Sequence, residues 1–258
     1  MGMSFDKYID NPSGSSVYTN RMMYKKMYQD KFNNLLIREQ GQIKYELYRT
    51  DDHNDTFYIY MKIPSEVIEK FYYDVVIQLY TTDNRKKNNA NLREYDVKFY
   101  SNDPAFVYTF AHSFIKNKLF IEDLKPRMSK QAIKSVAKIR NPKDEVWYVK
   151  SLYFAYLAME RYNLFSRIMF SNHSKKYDKK ELLRKVMQAE DKVKLRQSEQ
   201  EKLDKLKKEE KSKIEKKKRQ NTNQHIASKK SNISKTSRVS TVSKTPKTAK
   251  KAKVIGKK

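Results

Sequence analysis

Three residues have types and spacing that could support hydrolytic chemistry. Asp74 lies in one segment of alternating apolar and polar residues, and Asp96 and Lys98 lie in a later one. Metal-dependent nucleases hold a divalent ion with two carboxylates, and a lysine steadies the attacking water. All three residues oppose the apolar side of their segments, however, so an ordinary solvent-facing role is favoured. We predict no catalytic residue, and a metal-dependent nuclease is kept as the second alternative.

Composition excludes several other kinds of active site. The chain has no cysteine, which excludes disulfides, thiolate metal sites and a cysteine nucleophile. Its four glycines are too widely spaced to form the Gly-rich loops that cradle phosphates. The four histidines do not pair with one another at the spacing of metal ligands. The sequence therefore predicts no metal ion and no cofactor.

Positive charge is concentrated at the end of the chain. The formal net charge is +27, and residues 220–258 hold 11 Lys or Arg with no Asp or Glu. Such residues neutralise phosphates and release counterions, so they bind nucleic acid without sequence preference and with a steep salt dependence. A membrane partner is not predicted, because this segment lacks the aromatic and leucine anchors that insert into a bilayer. The predicted nucleic-acid-binding residues are Lys229, Lys230, Lys235, Arg238, Lys244, Lys247, Lys250, Lys251, Lys253, Lys257 and Lys258.

Five tyrosines form a second group of candidate residues. Each opposes the apolar side of the alternating segment that carries it. They could form a platform for base stacking, a second face packed by helices, or a contact with a partner chain. Because few basic residues lie between them, we favour packing or a protein partner, with self-association included. The predicted interface residues are Tyr58, Tyr60, Tyr72, Tyr80 and Tyr100.

The elements that position these residues are indicated by periodicity. Four segments alternate apolar with polar residues: 43–47, 57–63, 71–79 and 95–99. This pattern is typical of an antiparallel sheet with one buried face. Asp103-Pro104 and Asn141-Pro142 each place a capping residue before a proline, which marks the start of a helix. We predict an α+β domain over residues 19–176, with an antiparallel sheet of about four to five strands covered by helices.

The flanking regions differ from this domain in composition. Residues 1–18 are polar and predict an irregular segment. Residues 177–219 hold 17 basic and 10 acidic residues, and acidic side chains repeatedly lie four positions before basic ones. Such pairs stabilise a solvated helix, so we predict an exposed charged helix, with a weak coiled coil as the alternative. Residues 220–258 have low complexity and predict a disordered Lys-rich tail.

Two stretches resemble segments of uncharacterised proteins from tailed bacteriophages. They are SNDPAFVYTF at residues 101–110 and YVKSLYFAYL at residues 148–157. The resemblance covers the globular part only and implies a virus-encoded protein with a role in virion assembly or DNA handling. We therefore expect a non-enzymatic structural or virion-associated protein whose basic tail contacts nucleic acid. The alternative is a stand-alone nucleic-acid-binding protein in viral replication or transcription.

The expected location follows from the same resemblance and from hydropathy. No apolar run in the sequence is long enough to span a bilayer, and residues 1–10 lack the apolar core of a signal peptide. We predict the host cytoplasm during assembly, with the virion as a second location.

Overall fold

The computed structural model describes residues 2–10, 18–50, 55–87, 89–137 and 139–233. Side chains are described for all of these except residues 18–24 and 219–233. The chain divides into two units, Met1–Leu203 and Asp204–Lys258. The first unit has the predicted α+β fold. Within the described ranges, no helix is long and apolar enough to cross a membrane.

Five strands form the sheet of the first unit: β1 (Lys44–Arg49), β2 (Phe57–Pro64), β3 (Tyr72–Tyr80), β4 (Asp96–Ser101) and β5 (Lys175–Lys176). Their order is β4-β3-β2-β1-β5. β1 to β4 pair as antiparallel neighbours, and the short β5 pairs in parallel with β1. The four predicted strands are confirmed, because period-two alternation directs one set of side chains to each face of a sheet.

The α-helices of the described residues are α1 (Phe5–Asp10), α2 (Tyr18–Arg38), α3 (Ala111–Lys116), α4 (Lys130–Lys134), α5 (Lys150–Arg161), α6 (Arg167–His173), α7 (Lys179–Lys185) and α8 (Ala189–Ile233). A π-helical segment, Phe106–Phe110, leads directly into α3. Short 3-10 segments lie at Leu92–Glu94 and Glu122–Arg127. The predicted helix start at Asp103 is confirmed, because its Oδ1 accepts a hydrogen bond from the Ala105 N–H at 2.9 Å.

The apolar face of the sheet carries the main hydrophobic core. Ile59 and Ile77 are register partners on β2 and β3, and both are fully buried. The ring of Phe99 on β4 lies 4.9 Å from that of Phe5 in α1 and 5.8 Å from that of Phe114 in α3. α5 also packs against β2, β3 and β4. Burial of these aromatic and aliphatic side chains is the main stabilising contribution to the fold.

The opposite face of the sheet is covered as well, which corrects the prediction of one buried face. The ring of Tyr177, just before α7, stacks on Tyr58 of β2 with centroids 4.0 Å apart. The backbone N–H of Met187, between α7 and α8, donates to Asp74 of β3 at 3.1 Å. Tyrosine combines an apolar ring with a polar tip, so a face rich in tyrosine can pack against helices without leaving its hydroxyls unpaired.

The prediction of an irregular segment over residues 1–18 is wrong for α1. Phe5, Tyr8 and Ile9 follow i, i+3, i+4 spacing, and all three are buried. The Tyr8 hydroxyl donates to the carbonyl of Trp147 at 2.9 Å. Three apolar residues are enough to fix one helical turn when tertiary contacts hold it. The beginning of the chain therefore belongs to the folded unit.

The predicted helix start at Asn141-Pro142 is also wrong. The Asn141 side chain closes a local turn, because its Oδ1 accepts from the Glu145 N–H at 3.1 Å and its Nδ2 donates to the Glu145 carbonyl at 2.8 Å. Asp144 has a φ of 54°, a left-handed conformation that ends helical geometry. The helix of this region, α5, begins only at Lys150.

The region predicted as an exposed helix from residue 177 begins as part of the folded unit. Leu182 of α7, Val186 and Ala189 are buried. The division between the two units lies after Leu203. The first residues of the charged region therefore pack over the sheet.

α8 ends later than predicted. It runs to Ile233, so residues 220–233 have a helical backbone where a disordered tail is expected from composition. No glycine or proline occurs between Pro142 and Pro246, so no breaking residue ends the helix at residue 219. The rest of the predicted tail, residues 234–258, lies outside the described residues.

Candidate nucleic-acid interface

Three of the five predicted interface tyrosines are buried by the chain itself. Tyr58 and Tyr60 on β2 and Tyr100 on β4 are 5%, 4% and 0% exposed. The hydroxyl of Tyr60 donates to Asp74 Oδ1 at 2.8 Å, and that of Tyr100 donates to the Arg127 carbonyl at 3.3 Å. The predicted contact with a partner chain is therefore corrected for these three residues, because their rings and hydroxyls pack the second face of the sheet.

The other two tyrosines, Tyr72 and Tyr80, are half-exposed. The Tyr72 hydroxyl donates to Glu39 Oε2 at 2.9 Å, and this hydrogen bond raises the pKa of Tyr72. The ammonium of Lys98 lies 5.0 Å from the centroid of the Tyr80 ring, a cation–π distance. The two tyrosines lie at opposite ends of β3, roughly 26 Å apart along the strand. They do not form one continuous aromatic surface.

Asp74 is the centre of a buried polar cluster on the same face. Its carboxylate accepts hydrogen bonds from the Tyr60 hydroxyl at 2.8 Å, from Asn102 Nδ2 at 2.8 Å and from the Met187 N–H at 3.1 Å. Asn102 Oδ1 accepts in return from the Asp74 N–H at 2.8 Å. Three donors compensate a carboxylate that is only 5% exposed. The cluster fastens the turn between α7 and α8 to the sheet.

Lys192 fastens the first turns of α8 to the same region. It is 8% exposed, and its Nζ lies 4.5 Å from the centroid of the Phe71 ring. Burial lowers the pKa of Lys192, and the negative charge of Asp74 opposes that change. A buried lysine is unusual, and here the aromatic face and the nearby carboxylate offset part of its lost hydration.

The nuclease-like arrangement does not form. Asp96 pairs with Tyr80 at one end of the β3–β4 ladder, whereas Asp74 lies just past the other end, where Val75 pairs with Ser101. At about 3.3 Å per residue, the six positions from Asp74 to Tyr80 span roughly 20 Å. One metal ion cannot bridge carboxylates at that separation. Within the described ranges, no three His, Asp or Glu side chains gather as metal ligands.

Exposed cations gather where β5 joins the sheet. The β1–β5 pairing sets Arg49 opposite Lys176, and both are exposed. Lys175 and Lys185 bind Glu46 Oε2 at 2.8 and 2.6 Å. Burial alone would raise the pKa of Glu46, but the hydrogen bonds from these lysines hold it at about 2. This edge of the first unit is therefore positive, with one ionised carboxylate inside it.

The second unit presents a lysine-rich helix. Every residue from 204 to 218 is exposed, including Leu206 at 61% and Ile214 at 53%. These positions hold eight lysines and four carboxylates. A helix without a buried side depends on propensity and on ion pairs three or four residues apart. The predicted binding residues omit these lysines, although the run Lys216-Lys217-Lys218 in the sequence is a signal that could have identified them.

The predicted nucleic-acid-binding residues all follow this helical segment. Lys229 and Lys230 belong to the backbone of α8, and their side chains lie outside the described residues. The other nine lie outside the described residues entirely: Lys235, Arg238, Lys244, Lys247, Lys250, Lys251, Lys253, Lys257 and Lys258. Their predicted role depends on their charge alone.

No protein-family model, curated protein or solved structure matches this chain. The function is therefore interpreted from the charge, exposure and packing described above.

Proposed function

We propose that this chain is a non-enzymatic protein that holds nucleic acid through its C-terminal basic region, defined here as residues 204–258. The observation that carries the proposal is the exposure of every residue from 204 to 218 in a lysine-rich helix. The whole region holds 20 Lys or Arg and four Asp or Glu. Positive charges at this density repel one another and destabilise a compact state. A role in packing therefore does not account for them, whereas binding to a polyanion does.

The spacing of the cations suits a phosphate backbone. Double-stranded DNA carries one negative charge per about 1.7 Å of its axis, and an α-helix rises about 1.5 Å per residue. Lysines along a helix therefore present charge on the same length scale as the phosphates. Each neutralised phosphate releases counterions, and this makes binding independent of base sequence and steeply dependent on salt.

The second part of the proposal is that the first unit contacts a protein partner. Tyr72 and Tyr80 are half-exposed and can contact a protein partner. The resemblance to proteins of tailed bacteriophages suggests that this partner is a component of the virion. The chain would then be a structural, virion-associated protein that keeps nucleic acid close to its attachment point.

Binding of the full-length chain to a DNA duplex tests the nucleic-acid part. The test variant replaces the eleven predicted binding residues with glutamine, and fluorescence anisotropy gives the affinity near 0.15 M salt. We expect the variant to bind at least about 100-fold more weakly, because six to ten phosphate contacts carry most of a non-specific affinity. The unfolding midpoint in urea should not change.

A matched control distinguishes the effect of where the cations lie in the chain from the effect of the total charge removed. It also replaces eleven cations with glutamine, but all of them are exposed residues of the first unit: Lys7, Lys26, Lys44, Lys62, Lys70, Lys118, Lys130, Lys134, Arg140, Lys143 and Lys180. We expect this control to lose less than about 10-fold in affinity, since the removed charges act only through the long-range field. Equal losses in both variants would contradict the proposal.

Mass spectrometry of purified particles tests the virion part. The chain should be present at a stoichiometric level after nuclease treatment and high-salt washing if a protein partner holds it in the particle. Its complete removal by that treatment would reject the virion-associated role and leave only association with nucleic acid.

A further inference from the structure

Tyr108 differs from the other aromatic residues of the first unit in its exposure. It is 42% exposed, and every other Phe, Trp and Tyr side chain among those described is less exposed. Its neighbours Phe106, Val107 and Thr109 in the π-helical segment are buried. π-helical turns are rare and occur frequently at functional sites. Packing of the core does not explain why a large ring is kept at the surface here.

The Tyr108 ring borders a groove beside the beginning of α8. The groove has a volume of about 370 Å³, at the lower end of the range for small-ligand sites. Its lining combines an aromatic ring, two apolar side chains, two amides and one ion of each sign: Pro104, Tyr108, Val193, Arg196, Gln197, Gln200 and Glu201. The size and the lining suit one flat ring with polar edges.

Arg196 gives the lining of the groove its one positive charge. Burial raises the pKa of Tyr73 and the nearby Arg196 charge opposes that rise, while the buried Nε of Arg196 has no hydrogen-bond partner among the described residues. Buried donors in folded proteins are paired in the great majority of cases. The Nε itself is enclosed by protein atoms, so Arg196 contributes its positive charge to the lining of the groove and not the Nε hydrogen.

We propose that this groove binds one unpaired nucleobase of a single-stranded nucleic acid, with the base stacked on Tyr108. Arg196 donates to an oxygen of the base or of its phosphate, and the Gln197 and Gln200 amides face the polar edges of the base. This proposal deepens the proposed function and rests on it, because the basic region brings the strand to the protein. Stacking on an aromatic side chain contributes about 1–3 kcal/mol per base and tolerates any base.

The charges around the groove favour a base over a phosphate as the group against the ring. Glu201 lines the groove, and the charge of Glu190 acts on Tyr108 and helps to raise its pKa, after the larger effect of burial. Two carboxylates repel a phosphate placed on the ring, whereas a base is uncharged. The net charge of +27 of the chain still attracts the strand as a whole.

Affinity for single-stranded and double-stranded DNA tests the proposal on the full-length chain. The ligands are an oligothymidine strand and a duplex of the same length. Tyr108→Ala and Tyr108→Leu should each weaken binding of the single strand by roughly 5- to 100-fold, because the ring is lost. Tyr108→Phe should bind like the unchanged chain. Duplex binding should stay within about 2-fold in all three variants, since paired bases cannot enter the groove.

Tyr45→Ala is the matched control, because it also removes a partly exposed tyrosine ring but lies outside the groove. It should leave binding of the single strand unchanged. Unchanged affinity of Tyr108→Leu for the single strand would overturn the proposal, and so would equal losses on single strand and duplex. Neither result would contradict the proposed function, whose own test is the duplex affinity of the C-terminal glutamine variant against its matched control.

Photo-crosslinking gives a measurement that does not depend on affinity. An oligonucleotide carrying 5-iodouracil, irradiated in complex with the full-length chain, should form an adduct that mass spectrometry assigns to Tyr108. The adduct should disappear in Tyr108→Leu. Adducts confined to peptides from residues 204–258 would overturn the base-binding groove and leave the basic region as the sole contact.

Discussion

Ile77 of β3 is fully buried, whereas Ile214 of α8 is 53% exposed, although both are isoleucines in regular secondary structure. The same contrast holds for carboxylates. Asp74 in the first unit accepts three hydrogen bonds and is 5% exposed, whereas Asp204 in the second unit is exposed. The buried side chains of the first unit are constrained by the neighbours that they pack against, whereas the side chains of residues 204–218 are all exposed.

This difference separates stability from binding. Substitutions in the first unit should change the free energy of unfolding, because each buried side chain has neighbours that depend on it. Substitutions in the second unit should change the affinity for polyanions and leave unfolding almost unaffected.

Truncation of an aromatic side chain in the core should cause the largest loss in the free energy of unfolding. Phe99→Ala removes a fully buried ring that packs against Phe5 and Phe114, and should lower the free energy of unfolding by about 3–5 kcal/mol. Ile214→Ala is the counterpart in the second unit and should change it by less than about 0.5 kcal/mol. Urea unfolding followed by the fluorescence of Trp147, the single tryptophan, measures both. A comparable loss in the free energy of unfolding for Ile214→Ala would contradict the difference between the two units.

Removal of the buried carboxylate should have the next largest effect. Asp74→Ala leaves the Tyr60 hydroxyl, Asn102 Nδ2 and the Met187 N–H without an acceptor. We expect a loss of about 2–4 kcal/mol in the free energy of unfolding, because unpaired buried donors retain their desolvation cost. Asp204→Ala, in the exposed segment, should cost less than about 0.5 kcal/mol. A loss below about 1 kcal/mol for Asp74→Ala would mean that the cluster does not hold the turn between α7 and α8 on the sheet.

Lowering the pH should cause a smaller loss of stability, and this loss can be assigned to Glu46. Folding lowers the pKa of this carboxyl from 4.5 to about 2, through hydrogen bonds that outweigh the opposing effect of burial. A lowered pKa adds stability that is complete above the ordinary value and is lost as the pH falls towards the folded value. The stability difference between the unchanged chain and Glu46→Gln should therefore shrink between pH 5 and pH 2.

A lysine variant provides an internal control for the same pH experiment. Lys185→Gln removes one of the donors to Glu46 and should reduce the pH-dependent difference in part. Both ionic partners are partly exposed, so added salt should weaken the effect further. A difference that stays constant from pH 5 to pH 2 would show that Glu46 gains nothing from its lysines on folding.

The strands could be predicted from the sequence, because their alternation is set by the sheet itself. All four predicted strands occur at nearly the predicted positions, from Lys44 to Ser101. The covering of the second face could not be predicted in the same way. The sequence indicates a solvent-facing role for Asp74 and leaves packing or a partner chain open for Tyr58 and Tyr100. In the structure Met187, between α7 and α8, donates to Asp74, and Tyr177, just before α7, stacks on Tyr58. Tyr100 packs against Phe106 and Phe120. Alternation indicates which residues share a face but not what packs on that face.

Local signals also failed where tertiary contacts decided the outcome. Asn141-Pro142 has the residues of a helix start, but the Asn141 side chain bonds its own turn instead. Phe5 and Tyr8 form a helix in a segment too short and too polar to predict one alone. For the candidate site, net charge located the basic region, whereas the exposure of Tyr108 and the groove beside the beginning of α8 appear only in three dimensions.

The salt dependence of duplex binding tests the central claim most directly. The measurement is the slope of log Kobs against log salt concentration for the unchanged chain, for the variant with eleven C-terminal cations replaced by glutamine, and for the matched variant of the first unit. Each phosphate contact contributes about −0.9 to the slope, so the C-terminal variant should lose up to about 10 and the matched variant less than about 2. An unchanged slope in the C-terminal variant would contradict the claim that the eleven cations of residues 229–258 hold the nucleic acid.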